Sequence, residues 1–194
     1  MSSNSGEELQ VHDEESTARG LQRRDPEAWA EIYEKYFSRV YRYIALRVGD
    51  KTEAEDLAGQ VFLKALESIS SFKWRGVPVS AWLFRIAHNQ VIDYRRTSKA
   101  KLHSPLEESL VSDDTDPVLE AERNLDIHQV VQAVGHLTQA QRDVIELRFA
   151  GGLSTAEVAN VLGRSQGAVK VLQHSALVAL RKRLSSGRNR EEEL

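Results

Sequence analysis

The spacing of apolar residues in this chain has the period of an α-helix, and it limits the fold more than any other feature. From Trp29 to Val48 apolar side chains recur in steps of three and four residues, as on one face of a helix. No segment alternates polar and apolar residues over a useful length, so the fold class is predicted to be all-α, without a sheet. The apolar positions of this first long helix are Trp29, Ile32, Tyr33, Tyr36, Phe37, Val40, Tyr41, Ile44 and Val48.

Capping residues predict where the first two long helices begin and end. Asp25 followed by Pro26 is typical of a helix start, with the aspartate as N-cap, and Gly49 is typical of a helix end. Thr52 and Glu55, three residues apart, have the form of a capping box that opens the second helix. The other helices predicted in this half are 17–24, 54–69 and 80–96.

Two further capping boxes follow in the second half of the chain. Thr138 with Gln141 predicts the start of one helix, and Ser154 with Glu157 predicts the start of the next. The helices predicted in this half are 125–134, 138–149, 154–162 and 166–184.

Residues 155–172 have the pattern of a helix-turn-helix. Ala159 falls where two helices would cross closely, and Gly163 supplies the left-handed turn between them. The second helix of such a motif enters the major groove of DNA with its N-terminal residues at the base edges. A plain helical hairpin is the alternative, and His174 is equally compatible with an ordinary surface position. The residues expected to face DNA are Arg164, Ser165, Gln166, Lys170 and His174.

The formal net charge of −3 conceals two basic blocks on either side of an acidic spacer. Basic residues concentrate at 73–101 and at 164–190, whereas 107–126 is acidic apart from one arginine. Two separated basic blocks predict two contacts with nucleic acid. The predicted organisation is a disordered acidic leader (1–16), a helical domain (17–97), a flexible acidic linker (98–125), a second helical domain (126–184) and a frayed tail (185–194).

The segment 72–96 interleaves aromatic residues with cations. It contains Trp74 and Trp82 together with five cations, and Asp93 is its one acid. This mixture suits single-stranded nucleic acid, because bases stack on aromatic rings for ~1–3 kcal/mol each while cations follow the phosphates. The alternative is an amphipathic helix with core tryptophans and a solvated basic face.

The sequence contains no constellation typical of catalysis. Its six histidines include no pair with metal-ligand spacing on one helix. The two glycine-rich motifs that bind phosphate groups, GxxxxGK[ST] and GxGxxG after a strand, are both missing from the sequence. The lack of cysteine excludes disulfides and thiolate metal sites. A binding protein without metal or cofactor is predicted, not an enzyme. The rival interpretations are a stand-alone helix-turn-helix regulator and a nucleic-acid-processing enzyme.

Targeting signals are also missing from the sequence. There is no run of about 18 apolar residues that could span a membrane. The polar, acidic N-terminus lacks the apolar core of a signal peptide. A cytoplasmic protein is therefore predicted.

The order of these motifs resembles the sigma-70 family of bacterial RNA polymerase initiation factors. It is most similar to the extracytoplasmic-function group, which keeps only the second and fourth sigma domains. The segments that carry the resemblance before the linker are DPEAWAEIYEKYFSRVYRYI, DKTEAEDLAGQVFLKALESISSF and SAWLFRIAHNQVIDYRR. Those after it are LTQAQRDVIELRFAGGLSTAEVANVLGRSQGAVK and ALVALRKRL.

The resemblance implies that the first domain binds polymerase and the minus-10 promoter element. The segment 56–66 is similar to the part that docks on the clamp helices of the β′ subunit, with Asp56, Gln60 and Phe62 as contacts. Phe62 also lies on the core stripe. The block 73–96 is similar to the part that recognises and melts the minus-10 element. The residues carried over there are Lys73, Trp74, Arg75, Trp82, Arg85, Asn89, Asp93 and Arg96, with Trp82 equally a core residue.

The resemblance implies that the second domain meets polymerase and the minus-35 element. Residues 138–152 are similar to the part that meets the β flap, and 164–174 to the minus-35 reader. The implied partners are core RNA polymerase and promoter DNA, and an anti-sigma factor is common in this group. Val171 and Leu172 stand where Ser-Arg is frequent, and Ser175 where a base is frequent. These departures predict weaker phosphate contact or a different base preference.

The resemblance also sets a distance that the linker must cover. Two promoter elements about 23 base pairs apart are separated by ~75–80 Å along the duplex. An extended linker of 98–125 reaches ~90 Å, but as a relaxed coil it spans nearer ~30 Å. We therefore expect polymerase to hold the two domains apart.

Overall fold

A computed structural model of the protein describes residues 14–72, 77–98 and 129–191. All regular structure in these ranges is helical, which confirms the all-α prediction. The loop residues Lys73, Trp74 and Arg75 lie outside them, and so does the predicted linker except for residue 98, which ends α4. The helices are α1 (14–22), α2 (Pro26–Val48), α3 (Lys51–Ser68) with a 3-10 turn (Ile69–Ser71), α4 (Val79–Ser98), α5 (129–135), α6 (Gln139–Phe149), α7 (Thr155–Leu162) and α8 (Gln166–Glu191).

The predicted boundaries of α2 are confirmed, but the predicted start of α3 is wrong. The Asp25 side chain accepts a hydrogen bond from the backbone of Glu27, and Gly49 ends the helix in the left-handed conformation. Helix α3 is capped by Asp50, which accepts a hydrogen bond of 2.9 Å from the backbone of Glu53, and not by Thr52. Because Gly49 already ends α2, the aspartate that follows it directly is in place to cap α3, and Thr52 lies inside the helix.

The caps predicted in the second half are confirmed. Both capping boxes form, at Thr138 and at Ser154, and Gly163 ends α7 with a φ of 62°. Helix α8 continues to Glu191, beyond the predicted end near 184. The segment after 184 has no proline to stop the helix. In the first half, α1 begins at residue 14, inside the segment predicted to be a disordered leader.

Helices α2, α3 and α4 pack around two aromatic side chains. Tyr43 and Phe84 are fully buried, with ring centroids 5.8 Å apart and the rings edge to face. Neither residue was among the predicted core positions. Conversely, Tyr33 lies on the predicted apolar stripe of the first long helix but is 46% exposed. The apolar face of a long helix is wider than the part of it that packs into the core, so apolar residues at the edge of that face remain in contact with water.

Helices α6, α7 and α8 form the helix-turn-helix half, in which Ala159 lies at the predicted crossing of α7 and α8. Val158 and Ala159 of α7 are buried against Val169 of α8, while Leu162 and Leu172 are partly buried beside them. The small side chain of Ala159 permits the close crossing.

The two halves of the chain share one hydrophobic core. Helix α4 packs against α7, and α2 contacts α6. Val144, Leu147 and Leu153 belong to the same buried cluster as Tyr43 and Phe84. The sequence did not predict this arrangement, because the two domains were expected to be held only by a linker.

Candidate nucleic-acid and polymerase interfaces

The residues predicted to read duplex DNA lie together at the start of α8. Arg164, Ser165, Gln166, Lys170 and His174 are all exposed. The Ser165 hydroxyl also accepts a hydrogen bond of 3.2 Å from the backbone of Ala168, so it caps the helix. Helical spacing places this group opposite the buried residues of α8. The helix therefore presents a polar, basic face beyond the turn at Gly163.

Two apolar residues of α8 that depart from the family pattern face opposite ways. Val171 is 69% exposed and lies beside Lys170 on the outward side. Leu172 is partly buried and packs against the core. Only Val171 is therefore available for contact with DNA, and its neighbours Lys170 and His174 flank it on the same side.

Four of the residues predicted to bind the minus-10 element share one face of α4. Arg85, Asn89, Asp93 and Arg96 are exposed and follow each other at intervals of four, four and three residues. Trp82 is instead half-buried, with its ring centroid 4.8 Å from that of Phe72. Its contact with Phe72 fits the core interpretation of this tryptophan.

A shallow cavity of about 340 Å³ opens between α3 and α4 beside these residues. Asn89 and Asp93 form part of its wall, and Asp93 also pairs with Arg96 at 3.3 Å. A cavity here could not be predicted from the sequence, because its two walls come from helices separated by a loop. The lining residues are Lys64, Ser68, Ile86, Asn89, Ile92 and Asp93.

The residues predicted to bind polymerase through α3 separate into two groups. Asp56 and Gln60 are exposed on one face of the helix. Phe62 is only 8% exposed, and its ring lies 5.0 Å from that of Tyr33 and 6.0 Å from that of Phe37. Phe62 is thus a core residue in this structure. Leu63 lies near Gln60 on the same face and is 57% exposed, which sequence periodicity alone did not reveal.

Arg47 of α2 is buried between the two halves and is paired with two acids of α6. Its Nη2 lies 2.5 Å from Asp143 Oδ1, and its Nε forms an ion pair with Glu146 Oε2 that lacks hydrogen-bond alignment. The side chains of Arg47, Asp143 and Glu146 are 1%, 14% and 4% exposed.

Burial and charge act in opposite directions on this cluster. Burial raises the pKa of Glu146, although the charge of Arg47 opposes the rise. Burial alone would lower the pKa of Arg47, but Tyr43, Glu146 and Asp143 together hold it above its ordinary value. A buried charge is strongly destabilising without its partner, so this cluster favours contact between the two halves only while it is intact.

Arg39 joins α2 to the turn that follows α6. Its Nε and Nη2 donate hydrogen bonds of 2.9 Å to the carbonyl oxygens of Gly151 and Gly152. Its guanidinium lies over the rings of Tyr36 and Phe84, at 5.1 and 5.9 Å from their centroids. A Cβ atom at Gly151 would lie 2.8 Å from the Phe84 ring, so the close approach of the two halves requires glycine there.

The N-terminal part of α4 contacts the helix-turn-helix directly. The Ser80 hydroxyl donates a hydrogen bond to Glu157, and Arg85 donates one to the carbonyl oxygen of Asn160. Burial alone would raise the pKa of Glu157, but hydrogen bonds from Ser154 and Ser80 outweigh it and hold the pKa below its ordinary value. One of the predicted minus-10 residues, Arg85, is therefore engaged by the other half of the chain.

Within the ranges that the structure describes, no group of side chains has the make-up of a metal site. None of the described helices combines the length and the hydrophobicity needed to cross a bilayer.

Two regions of the chain match known protein families. Residues 32–101 match the family described as Sigma-70 region 2, and residues 133–182 match Sigma-70, region 4. The first match contains α3 and α4, and the second contains α6, α7 and most of α8.

Curated relatives match over most of the chain. The extracytoplasmic-function (ECF) RNA polymerase sigma factor BldN of Streptomyces coelicolor is 38% identical over 161 residues, which is 80% of this chain and 60% of that protein. The chain thus spans less than two thirds of BldN. The ECF RNA polymerase sigma factor SigL of Mycobacterium tuberculosis is 30% identical over 151 residues, covering 77% of this chain and 85% of SigL.

Solved structures share the fold at lower sequence identity. CnrH, solved with the cytosolic domain of CnrY, superposes with a TM-score of 0.67 at 23% identity, covering 89% of this chain and 97% of that chain. The sigma factor RpoE of Bartonella quintana, solved with the anti-sigma factor NepR, gives a TM-score of 0.64 at 21% identity, covering 80% and 96%.

Proposed function

Because the chain belongs to the sigma-70 family of RNA polymerase sigma factors, in its extracytoplasmic-function group, we propose that it directs core polymerase to specific promoters and initiates transcription there. The observation that carries the proposal is the ordered pair of family regions, each with an exposed face suited to DNA. The chain has no role as an enzyme in this reaction. It selects the promoter, and polymerase performs the chemistry.

Helix α8 is proposed to read the minus-35 element in the major groove. Gln166 is suited to an adenine edge, and Arg164 and Lys170 to guanine or phosphate. Val171 adds an apolar contact on the same side, and the apolar group exposed in the major groove is the C5-methyl of thymine. Ser165 supports the reader by capping α8, and His174 extends its face by one turn.

Helix α4 is proposed to hold the melted minus-10 strand. Arg85 and Arg96 supply positive charge, while Asn89 and Asp93 offer hydrogen bonds beside the cavity on α3 and α4. This cavity is a second candidate for a flipped base, alongside the loop that contains Lys73, Trp74 and Arg75. Trp82 is assigned a supporting role, because it packs on Phe72.

Helix α3 is proposed to dock on the β′ clamp helices of polymerase. Asp56, Gln60 and Leu63 form its exposed face, and the contact of Phe62 with polymerase remains a prediction. Residues 138–152 are proposed to meet the β flap. The domains proposed to carry these contacts are 17–97 and 126–184, although α1 begins at residue 14 and α8 continues to Glu191.

Location and regulation follow from the same proposal. A factor that acts on RNA polymerase works in the cytoplasm. RpoE of Bartonella quintana was solved with an anti-sigma factor, and this chain is proposed to have such a partner as well.

Run-off transcription from a genomic promoter pool tests the proposal. With core polymerase and this protein we expect transcripts from a small set of promoters, and no transcripts from core polymerase alone. Gln166→Ala should cost ~1–3 kcal/mol of discrimination at one base position. Arg181→Ala is the matched control, since this exposed cation lies 11 residues beyond Lys170 on α8, about 16 Å further along the axis.

The same assay distinguishes the rival interpretations. Tight, specific duplex binding without core polymerase, and no specific transcripts with it, would identify a stand-alone regulator. DNA cleavage that depends on a divalent metal would identify a processing enzyme.

A further inference from the structure

Helix α1 contacts the two residues that border the loop 73–78, which contains three of the residues proposed to bind the minus-10 element. This loop follows Phe72 and precedes Val79, the first residue of α4. Gln22, at the C-terminal end of α1, donates a side-chain hydrogen bond of 2.6 Å to the carbonyl oxygen of Phe72. At the other end of α1, Glu14 Oε2 accepts a hydrogen bond of 3.1 Å from the backbone N–H of Val79. One short helix therefore binds the residues on both sides of the loop.

The contact of Glu14 supplies what the first turn of α4 lacks. The first backbone N–H groups of a helix have no partner within the helix, and negative charge beside them is favourable. The first turn of α4 contains no acidic residue. Glu14 brings a carboxylate to this place from 65 residues away in the sequence. It thus caps the helix that is proposed to hold the melted strand, although it lies in the segment predicted to be a disordered leader.

Helix α1 is attached to α2 by apolar and polar contacts that fix its position. Ala18 and Leu21 are fully buried in the core. A Cβ atom at Gly20 would lie 2.9 Å from the Cβ of Ala28, so the two helices approach each other closely there. The indole N–H of Trp29 donates a hydrogen bond of 3.2 Å to the carbonyl oxygen of Leu21. The core therefore determines where the two ends of α1 lie relative to α4.

The contacts of α1 also reach the aromatic pair at the start of α4. Phe72, whose carbonyl oxygen binds Gln22, has its ring 4.8 Å from that of Trp82. The proposed minus-10 face begins at Arg85, less than one turn after Trp82. A shift of Phe72 or of Val79 would therefore move the first turns of α4 and the side chains that they present to DNA.

We propose that α1 is a positioning element of the minus-10 site, in which Glu14 and Gln22 hold the start of α4 and Phe72 in the geometry that binds the melted strand. The role in melting rests on the proposed function, whereas the two hydrogen bonds rest on the structure alone. Neither residue is a proposed contact with DNA. A carboxylate repels phosphate, so Glu14 acts through the backbone that it holds.

Hydrogen exchange of the Val79 amide, followed by NMR, tests the cap in the chain alone. Glu14→Ala removes the acceptor and should speed this exchange about fivefold, as expected for the loss of an N-terminal cap. Glu14→Gln keeps an acceptor oxygen without the charge and should recover part of the protection. The matched control is Glu15→Ala, which removes the neighbouring acid, paired with Arg19, and should leave the exchange unchanged. Equal exchange in the parent protein and in Glu14→Ala would overturn the cap.

Promoter melting tests the positioning role in the holoenzyme formed with core polymerase. The probe is a promoter selected in the run-off assay, with 2-aminopurine in place of an adenine of the non-template minus-10 strand. Its fluorescence rises when the base unstacks. We expect the equilibrium constant for melting to fall about fivefold in Glu14→Ala and roughly threefold in Gln22→Ala. Glu14→Gln should recover part of the loss, and Glu15→Ala should match the parent protein.

Binding of the holoenzyme to a short duplex with only the minus-35 element separates positioning from general damage. We expect every variant to bind this duplex as tightly as the parent protein does. Unchanged melting in Glu14→Ala and Gln22→Ala, or an equal loss of minus-35 binding, would overturn the positioning role. If the run-off assay selects no promoter, the proposed function and the role in melting are both rejected, while the exchange measurement still decides whether Glu14 caps α4.

Discussion

At the residue scale, a polar contact in the first half joins Tyr43 to His88. The Tyr43 hydroxyl lies 2.9 Å from His88 Nδ1, next to the buried charge of Arg47. Burial lowers the pKa of His88, and the charge of Arg47 lowers it further. The folded chain therefore keeps this imidazole neutral under conditions in which the unfolded chain would protonate it.

The lowered pKa of His88 predicts a loss of stability in acid. Below the ordinary histidine pKa of about 6.5 the unfolded state binds the proton more readily, so the free energy of unfolding falls as the pH decreases. His88→Gln should show a smaller fall between pH 7.5 and 5.5 in urea titrations. His136→Gln, at an exposed position, should keep the full fall. If the free energy of unfolding changed equally with pH in His88→Gln and His136→Gln, His88 would not be the source of the acid sensitivity.

The outward position of Val171 predicts sensitivity to a single methyl group of DNA. Replacing a thymine of the minus-35 element with deoxyuridine should weaken binding about fourfold at the contacted position, since one buried carbon is worth ~0.8 kcal/mol. Val171→Ala should reduce this effect. Val178→Ala, also exposed but two turns further along α8, should retain it. If deoxyuridine weakened binding equally in the parent protein, in Val171→Ala and in Val178→Ala, a contact between the methyl group and Val171 would be excluded.

At the element scale, local rules account for most of the helices and for the helix-turn-helix. The caps at Asp25, Thr138 and Ser154 could be predicted because a capping side chain bonds to backbone only two or three residues away. The start of α3 was missed because two candidates only two residues apart, Asp50 and Thr52, compete for one cap. The burial of Tyr43 was missed because helical periodicity indicates which side of a helix faces the core, but not how deeply each residue is buried.

Two glycines in different helical settings predict opposite changes in stability. Gly59 lies exposed inside α3, and a Cβ there would meet nothing within 4 Å. Gly59→Ala should therefore raise the free energy of unfolding by ~0.5–1 kcal/mol. Gly163 has a φ of 62°, so Gly163→Ala should lower it by ~1–2 kcal/mol. Urea titrations measure both values. If Gly59→Ala and Gly163→Ala changed the free energy of unfolding in the same direction, the argument from backbone conformation would be wrong.

Gly59 also lies between Asp56 and Leu63 on the face proposed to dock on polymerase. No contact within the described chain requires glycine at this position, because a Cβ would meet nothing within 4 Å. A glycine on the docking face would instead allow polymerase to approach the backbone of α3 closely. Gly59→Ala should then weaken binding to core polymerase while it stabilises the chain on its own. Unchanged affinity for polymerase would remove Gly59 from the docking face without affecting the stability result.

At the scale of the whole molecule, the contact between the halves was beyond what the sequence could reveal. Arg47 and Glu146 occupy helix positions that look like ordinary solvated charges, and they are 99 residues apart. Their partnership depends on how two separately predictable helical units meet. Gly151 is similar, because in the sequence it simply follows the predicted helix 138–149, and its contact with Phe84 becomes visible only in the assembled fold. Local patterns thus predicted the two units and the faces they expose, but not the surface they share.

The shared core predicts how the chain unfolds. All three tryptophans, Trp29, Trp74 and Trp82, lie in the first half, so their fluorescence reports that half, whereas far-UV circular dichroism reports the helices of both. Because buried residues of the two halves form one cluster, we expect both signals to change at the same urea concentration.

The same comparison in Arg47→Met should separate the two signals. Once the buried acids lose their cation, the halves no longer stabilise each other, and each should unfold at its own urea concentration. We expect the fluorescence and dichroism midpoints to coincide in the parent protein and to differ in Arg47→Met. The control is Arg42→Gln, which removes an exposed cation of the same helix and should leave the two midpoints coincident. If the midpoints also differ in the parent protein, the halves unfold independently and the interface contributes no cooperativity. If they still coincide in Arg47→Met, the apolar part of the interface is sufficient to couple the halves, and the Arg47 charge is not what holds them together.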